Sequence, residues 1–104
     1  MDAKDEIKQR LGVEEIVGEY VELKRSGRNF KALSPFSSEK TPSFMVSPDK
    51  QIWHDFSSNQ GGDIFSFVML MEGIGFREAL ELLAPKAGVD LSQYGSGGQT
   101  AKQK

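Results

Sequence analysis

The chain has 104 residues, of which 38% are hydrophobic and 10% aromatic, which is enough for the core of one small domain and too few for a full-sized polymerase or kinase. It contains no cysteine and a single histidine, His54, which excludes disulfides, a thiol nucleophile, cysteine-ligated metal or haem sites and an all-histidine metal site. The net charge is −2, and neither an apolar run of about 18 residues nor a basic signal sequence is present, so we expect a soluble cytoplasmic protein.

The first predicted elements are two short helices joined at Gly12. Ile7 and Leu11 have the i, i+4 spacing of one helix face. After Gly12, apolar residues recur with the spacing i, i+3, i+4, i+7, at Val13, Ile16, Val17 and Tyr20. This period indicates that the N-terminal region packs one helical face into the core.

A small antiparallel sheet of four or five strands is predicted next, because the helical period is lost between Tyr20 and Asp55. The candidate strands are short, partly aromatic or β-branched, and separated by turn-forming pairs such as Ser26-Gly27 and Thr41-Pro42. They span residues 20–23, 29–32, 44–46 and 51–56.

Two more helices are predicted after the Gly61-Gly62 pair. Asp63 is expected as the N-cap or as a first-turn acid of the first, whose apolar face is formed by Ile64, Phe67, Val68 and Met71. The second begins near Phe76 and should stop or kink at Pro85, which lacks a backbone donor. We place one domain at residues 1–91 and interpret residues 92–104, rich in glycine and polar side chains, as a flexible linker or tail.

Charge divides the chain into a basic middle and acidic flanks, since residues 20–50 carry six basic and three acidic side chains. Such a segment is often only a solvated surface. Alternatively, the cations neutralise phosphates while aromatic rings stack on unpaired bases. The candidate nucleic-acid-binding residues are Lys24, Arg25, Arg28, Phe30, Lys31, Lys40, Lys50 and Trp53. Trp53 and His54 are adjacent on a strand and point to opposite faces, so only one of them can lie on a binding face.

Four motifs follow one another along the chain: SPFS at 34–37, EKTPSF at 39–44, IWHDFSS at 52–58 and GGDIFSF at 61–67. Over about residues 3–91 the chain resembles the N-terminal zinc-binding domain, a CHC2-type zinc ribbon, of bacterial DnaG-type DNA primases. The resemblance implies an α+β fold in which a small zinc-ribbon-like antiparallel sheet is flanked by N-terminal and C-terminal helices. It also implies contact with a single-stranded template during primer synthesis.

The chain differs from that family at the metal-ligand positions. Its three cysteines fall on Ser34, Asp55 and Ser58, and its histidine falls on Ser37. Because a neutral hydroxyl is a poor zinc ligand and one carboxylate cannot replace three thiolates and an imidazole, we predict a zinc-free variant without a cofactor. We expect hydrogen bonds from Ser34, Ser37 or Ser58 to Asp55, together with the packed helices, to stand in for the metal.

The leading hypothesis is a single-stranded DNA template-binding module of a DNA primase, which assists RNA primer synthesis in DNA replication. The alternative is a protein-interaction module that docks a primase catalytic domain or a helicase. No catalytic group is identified, because Glu14, Glu15, Glu78 and Glu81 have the spacing of a solvated helix face. In the family that the chain resembles, nucleotidyl transfer belongs to a separate domain, so we expect this domain alone not to be an enzyme. The expected partners are single-stranded DNA, the primase catalytic domain and a replicative helicase, but not a membrane.

Overall fold

The computed structural model describes residues 2–38 and 40–94. It contains helices α1 and α2, five strands β1 to β5, helices α3 and α4, and a final 3₁₀ turn. Their bounds in chain order are α1 Ala3–Arg10, α2 Val13–Gly18, β1 Lys24–Ser26, β2 Asn29–Ala32, β3 Phe44–Ser47, β4 Ile52–Asp55, β5 Gln60–Gly62, α3 Ile64–Glu72, α4 Phe76–Ala87 and the turn Leu91–Tyr94. The predicted α+β class is therefore confirmed. From residue 95 onward the predicted tail lies outside the described residues.

The two N-terminal helices begin at side chains that satisfy free backbone amides. Asp2 accepts the N–H of Asp5 at 2.9 Å, and the Glu15 carboxylate accepts the N–H of Gly12 at 2.8 Å. Within the described residues, no helix is long and apolar enough to span a bilayer.

The segment after α2 differs from the predicted strand at 20–23. The backbone amides of Tyr20 and Val21 both donate to the carbonyl of Val17, at 2.9 and 3.0 Å, so the chain leaves the helix through a turn. The Tyr20 ring packs edge-to-face on Phe67, with ring centroids 5.5 Å apart. This contact extends the helical apolar face of α2, and the first strand begins only at Lys24.

The sheet has the order β1-β2-β3-β4-β5, and every neighbouring pair is antiparallel. Gly27 has φ 65° at the first central position of the two-residue turn between β1 and β2, where a side chain would be strained. The fifth strand contains the Gly61-Gly62 pair, which lies outside the candidate strands of the sequence analysis. A Cβ at Gly61 would lie 2.8 Å from the carbonyl oxygen of Trp53, so glycine permits this strand to pair closely with β4.

Helix α3 packs on one face of the sheet together with α2, and α4 packs on α3 and α1. Asp63 accepts the N–H of Ser66 at 3.0 Å, which confirms the predicted N-cap of α3. Helix α4 neither stops nor breaks at Pro85 but continues to Ala87. Because Pro85 lies in the last turn, its missing N–H removes one hydrogen bond near the helix end, and Gly88 then ends the helix with φ 70°.

The core lies between the sheet and the helices and is dominated by aromatic rings. Phe44 stacks on Trp53, and the rings of Phe67 and Phe36 also contact Trp53, each pair with centroids 5.5 Å apart. The helices contribute six buried apolar side chains beside these rings, namely Val13, Ile16, Val17, Phe65, Val68 and Leu83, whereas Leu80 is only partly buried.

Candidate nucleic-acid interface

The strand register sorts the sheet residues onto two faces. Directly opposed residues share a face, so Lys24, Lys31, Met45, His54 and Gly61 form one continuous row across all five strands. The adjacent row passes through Arg25, Phe30, Val46, Trp53 and Gly62. Since Val46 and Trp53 are buried against the helices, the second row belongs to the inner face and the first to the outer face.

The outer face begins with two lysines that lie directly opposite each other. Lys24 on β1 and Lys31 on β2 are a cross-strand pair, and both side chains are exposed. Like charges in this arrangement destabilise a sheet. Neither lysine forms an ion pair with any residue that the structure describes. The row therefore presents two adjacent positive charges to solvent.

Aromatic and apolar side chains continue this face. Phe56 is 64% exposed, and its ring contacts the His54 imidazole edge-on, with centroids 4.5 Å apart. Ile52 is 42% exposed on the same side of β4. The candidate residues did not include His54 or Phe56, although the strand alternation Ile52, His54, Phe56 is visible in the sequence once Trp53 is placed inside.

Trp53 lies in the core, and its predicted role in base stacking is wrong for this fold. Its side chain is 1% exposed, and its Nε1–H donates to the carbonyl of Asp63 at 2.8 Å. The expectation that only one of Trp53 and His54 reaches the open face is confirmed, with His54 as that residue. The indole of Trp53 has more apolar surface than the imidazole of His54, so burial of Trp53 removes more apolar surface from water than burial of His54 would.

Phe30 also belongs to the inner face rather than the open one. It opposes Val46, is half-buried, and lies beneath the Arg25 guanidinium at 5.4 Å from the ring centroid. Arg25 donates its Nε–H to the carbonyl of Gly27 at 3.1 Å. The predicted stacking role of Phe30 is therefore unsupported by its position.

A cleft of about 770 Å³ lies along the edge strand β1. Its charged lining consists of three cationic side chains, Lys24, Arg25 and Lys31, and one acidic side chain, Glu22, and its apolar lining includes Val21 and Leu33. The cleft thus brings together three of the predicted nucleic-acid-binding cations.

The remaining predicted cations lie apart from this cleft. Arg28 occupies the turn between β1 and β2 and pairs with Asp49 at 3.3 Å, where both side chains are largely exposed. Lys50 lies in the turn between β3 and β4, and Lys40 lies in the connection between β2 and β3. Neither is a lining residue of the cleft.

The four positions that correspond to the metal ligands meet at the end of the sheet around Asp55. The Asp55 side chain is 0% exposed. Its Oδ2 accepts hydrogen bonds from Ser34 Oγ at 2.7 Å and from Ser58 Oγ at 2.6 Å. The predicted hydrogen bonds from Ser34 and Ser58 to Asp55 are confirmed.

The other carboxylate oxygen is equally occupied. Asp55 Oδ1 accepts from Ser57 Oγ at 2.8 Å, from the Ser57 backbone N–H at 3.2 Å and, more weakly, from Ser43 Oγ at 3.4 Å. The Oγ atoms of Ser37 and Ser57 lie 3.2 Å apart. We call Ser34, Ser43, Asp55, Ser57 and Ser58 the serine–aspartate cluster.

The pKa of Asp55 reflects two opposed effects. Burial is the largest single one and raises the pKa, but hydrogen bonds from Ser58, Ser34 and Ser57 together outweigh it and hold the pKa below its usual value. At neutral pH Asp55 is therefore an ionised carboxylate whose charge is stabilised by hydrogen bonds from serine hydroxyls.

These residues do not fit a zinc ion. The hydroxyl protons of Ser34, Ser57 and Ser58 point to the carboxylate, and neutral hydroxyls are poor zinc ligands. Among the described residues, no group of three or more His, Cys, Asp or Glu side chains could hold a metal ion.

Comparison with known proteins identifies the fold. The family model described as CHC2 zinc finger matches residues 1–98. The DNA primase of Geobacillus stearothermophilus is 56% identical over 88 residues, and that of Thermotoga maritima is 49% identical over 90 residues. These matches cover 85% and 86% of this chain but only 15% and 16% of the relatives.

A solved structure agrees with the assignment. The structure titled as the zinc binding and RNA polymerase domains of the Aquifex aeolicus primase superposes with a TM-score of 0.82 at 36% identity. The match covers 91% of this chain and 24% of that one. The chain therefore spans a small part of the length of the proteins that it resembles.

Proposed function

The chain belongs to the CHC2 zinc-finger family, the N-terminal zinc-binding domain of DnaG-type DNA primases, and on that premise we propose that it binds the single-stranded template of a primase. The observation that carries this proposal is the open row of Lys24, Lys31, Met45 and His54, with Phe56 beside it. We assign this role to a module at residues 1–91, with primer synthesis performed by a catalytic domain outside this chain.

The cross-strand lysine pair supports an anionic ligand. Lys24 and Lys31 repel each other across β1 and β2 and have no acidic partner among the described residues. A phosphate placed between them would relieve the repulsion and release counterions. A sugar–phosphate backbone that crosses this edge of the sheet satisfies both conditions.

The aromatic side chains favour a single strand over a duplex. Phe56 exposes most of its ring, and His54 supports it from below at 4.5 Å. Unpaired bases can stack on such a ring, whereas bases within a duplex are already stacked on each other. The apolar lining of the cleft beside β1 offers a further surface for an unpaired base next to three cations.

A titration of a fluorescent single-stranded oligonucleotide with the full chain tests the proposal. Binding should weaken with salt, with a log–log slope of about −0.7 for each phosphate contacted. The variant Lys24→Ala/Lys31→Ala should bind more weakly and with a shallower slope. The matched control for each single variant, Lys24→Ala or Lys31→Ala, is Lys4→Ala, since Lys4 is an exposed lysine on α1, far from the row in sequence. Equal loss in the control, or no binding at low salt, would refute the proposal.

A second candidate function is docking of the primase polymerase domain. It is favoured by two exposed apolar side chains on the C-terminal helices, Leu70 at 47% and Phe76 at 43% exposure. The Aquifex aeolicus structure, of which the match covers 24%, is titled as containing both a zinc binding and an RNA polymerase domain. If addition of a polymerase domain shifts the NMR resonances of α3 and α4 while oligonucleotide leaves the outer face unchanged, docking is the primary role. If a helicase shifts the resonances of α3 and α4 and the polymerase domain does not, the docking partner is the helicase.

A further inference from the structure

We propose that the serine–aspartate cluster has taken over both the place and the structural role of the family's zinc ion, so that this domain folds without metal. The inference concerns the end of the sheet around Asp55 and does not depend on nucleic-acid binding. It rests on the connectivity, saturation and charge of the cluster.

The cluster joins the same two chain segments that a metal would join. Ser34 lies in the connection after β2, whereas Asp55 is the last residue of β4 and Ser58 lies in the turn between β4 and β5. The bond from Ser34 to Asp55 spans 21 positions in sequence and is buried. It therefore links two distant turns, as one metal ion bound by both would.

The two turns also have a common local geometry. In the first turn the backbone N–H of Phe36 donates to Ser34 Oγ at 3.0 Å. In the second, the backbone N–H of Ser57 donates to Asp55 Oδ1 at 3.2 Å. In both turns the amide two residues onward points at the side chain of the ligand position, which keeps that side chain directed to the centre of the cluster.

The hydrogen-bond capacity of the cluster is filled from inside the protein. A carboxylate has about four lone-pair sites, and the four shorter contacts to Asp55 occupy them. The hydroxyls that donate to Asp55 then act as acceptors, Ser34 from Phe36 N–H and Ser58 from the Gln60 amide at 2.9 Å. The hydroxyl protons of Ser34, Ser57 and Ser58 point toward the Asp55 carboxylate. The lone pairs of this carboxylate are therefore occupied by donors and are not available to a cation.

The exchange also conserves charge. Three thiolates and a neutral imidazole around Zn²⁺ carry a net charge of about −1, because metal-bound cysteines are deprotonated. The ionised carboxylate of Asp55, surrounded by neutral hydroxyls, carries the same net charge in the same place. The net charge at this end of the sheet is therefore the same as in a zinc site, but folding no longer depends on a metal ion or on reduced thiols.

Metal analysis of the purified full chain is the first test. We expect no stoichiometric zinc by elemental analysis and the same melting temperature with excess chelator, with added zinc, or with neither. One zinc per chain, or a melting temperature that falls with chelator, would overturn the proposal.

Variants of the cluster provide the second test, with an exposed aspartate as the matched control. Asp90 accepts both the Oγ–H and the N–H of Ser92, at 2.7 and 3.0 Å, as Asp55 does from Ser57, but in an exposed position. Asp55→Ala should abolish cooperative melting or lower the melting temperature far more than Asp90→Ala. Ser34→Ala and Ser58→Ala should each give an intermediate loss that can be measured if Asp55→Ala does not fold. Equal small losses for all four variants would contradict the structural role.

Restoration of the ligands is the third test. The variant Ser34→Cys/Ser37→His/Asp55→Cys/Ser58→Cys should bind one zinc per chain and become sensitive to chelator, because the turns already direct these positions to one point. Cobalt substitution should give the absorption of a tetrahedral thiolate site. A folded quadruple variant that binds no zinc would show that the cluster does not occupy the metal's place.

Discussion

Both faces of the sheet carry aromatic and charged side chains, but these groups stabilise the fold on the inner face and are open to solvent on the outer face. On the inner face, Trp53 has its ring packed and its N–H bonded, and Asp55 has both carboxylate oxygens occupied. On the outer face, Phe56 is exposed, and Lys24 and Lys31 oppose each other without an acidic partner among the described residues. Polar groups that are fully satisfied stabilise the fold, whereas those left without partners at the surface are available to a ligand.

The largest expected effect is on the unfolding free energy, and it distinguishes the buried ring of Trp53 on β4 from the exposed ring of Phe56 just after this strand. Trp53→Ala removes a buried ring from the centre of the aromatic cluster and should cost about 3–5 kcal/mol of unfolding free energy. Chemical denaturation followed by circular dichroism measures the loss. A cost below that of an ordinary surface substitution would mean that the inner face is not the core.

The second largest expected effect is a loss of folding stability in acid, caused by protonation of Asp55. The hydrogen bonds from its serines hold the folded-state pKa of Asp55 below the unfolded value of 3.8, although burial opposes them. The stabilisation is therefore fully present above about pH 4 and is lost as the pH falls through the lower, folded pKa. Denaturation curves measured from pH 6 downward should show this loss.

The control for this pH dependence is a pair of amide variants. Asp55→Asn should be less stable at neutral pH and should show a smaller acid-induced loss than the parent chain. Asp90→Asn, at a carboxylate whose pKa is lowered by hydrogen bonds from exposed Ser92, should leave most of the acid-induced loss in place. If both variants behaved alike, the acid sensitivity would not belong to the buried cluster.

Phe56→Ala should separate binding from stability on the outer face. Loss of a stacking ring should weaken single-stranded DNA binding by about 1–3 kcal/mol. The unfolding free energy should change by no more than about 0.5 kcal/mol, since the ring is largely exposed. Paired titration and denaturation experiments measure both quantities, and a large stability loss with unchanged binding would reverse the roles assigned to the faces.

The smallest expected effect concerns the lysine pair. Lys31→Glu creates an opposite-charge pair with Lys24 and should stabilise the sheet by about 0.2–1 kcal/mol while it weakens DNA binding. The double variant Lys24→Glu/Lys31→Glu restores like-charge repulsion and should lose that gain. Improved DNA binding in Lys31→Glu would show that the row does not contact phosphates.

Much of the fold could be predicted from local patterns. The helix spacing of Val13, Ile16 and Val17 and the N-cap Asp63 both hold, because each depends on residues only three or four positions apart. The predictions that are wrong depend on competition between distant parts. Residues 20–23 have a plausible strand pattern, but Tyr20 packs on Phe67 of α3, the amides of Tyr20 and Val21 bond back to Val17, and the segment pairs with no strand that the structure describes. The Gly61-Gly62 pair lies outside the predicted strands, yet pairing with β4 makes it part of a strand.

The positive charge of the candidate interface could be predicted from the sequence, but the face of the sheet on which each side chain lies could not. The basic composition of residues 20–50 indicates an anionic ligand, and Lys24 and Lys31 do meet. Their register with His54, and the burial of Trp53 in place of its neighbour, could not be assigned from alternation alone, because alternation separates two faces without saying which one the helices cover.

By itself the sequence determined the α+β class, the family resemblance and the absence of every cysteine where zinc ligands are expected, since these follow from composition, spacing and the order of motifs. Only the tertiary structure decided what stands in that place. Ser34 and Asp55 are 21 positions apart, and their hydroxyl and carboxylate meet because the folding of β2, β3 and β4 brings two turns to one end of the sheet. A buried charge is tolerated only when its partners converge in three dimensions, and that convergence is a property of the packed chain.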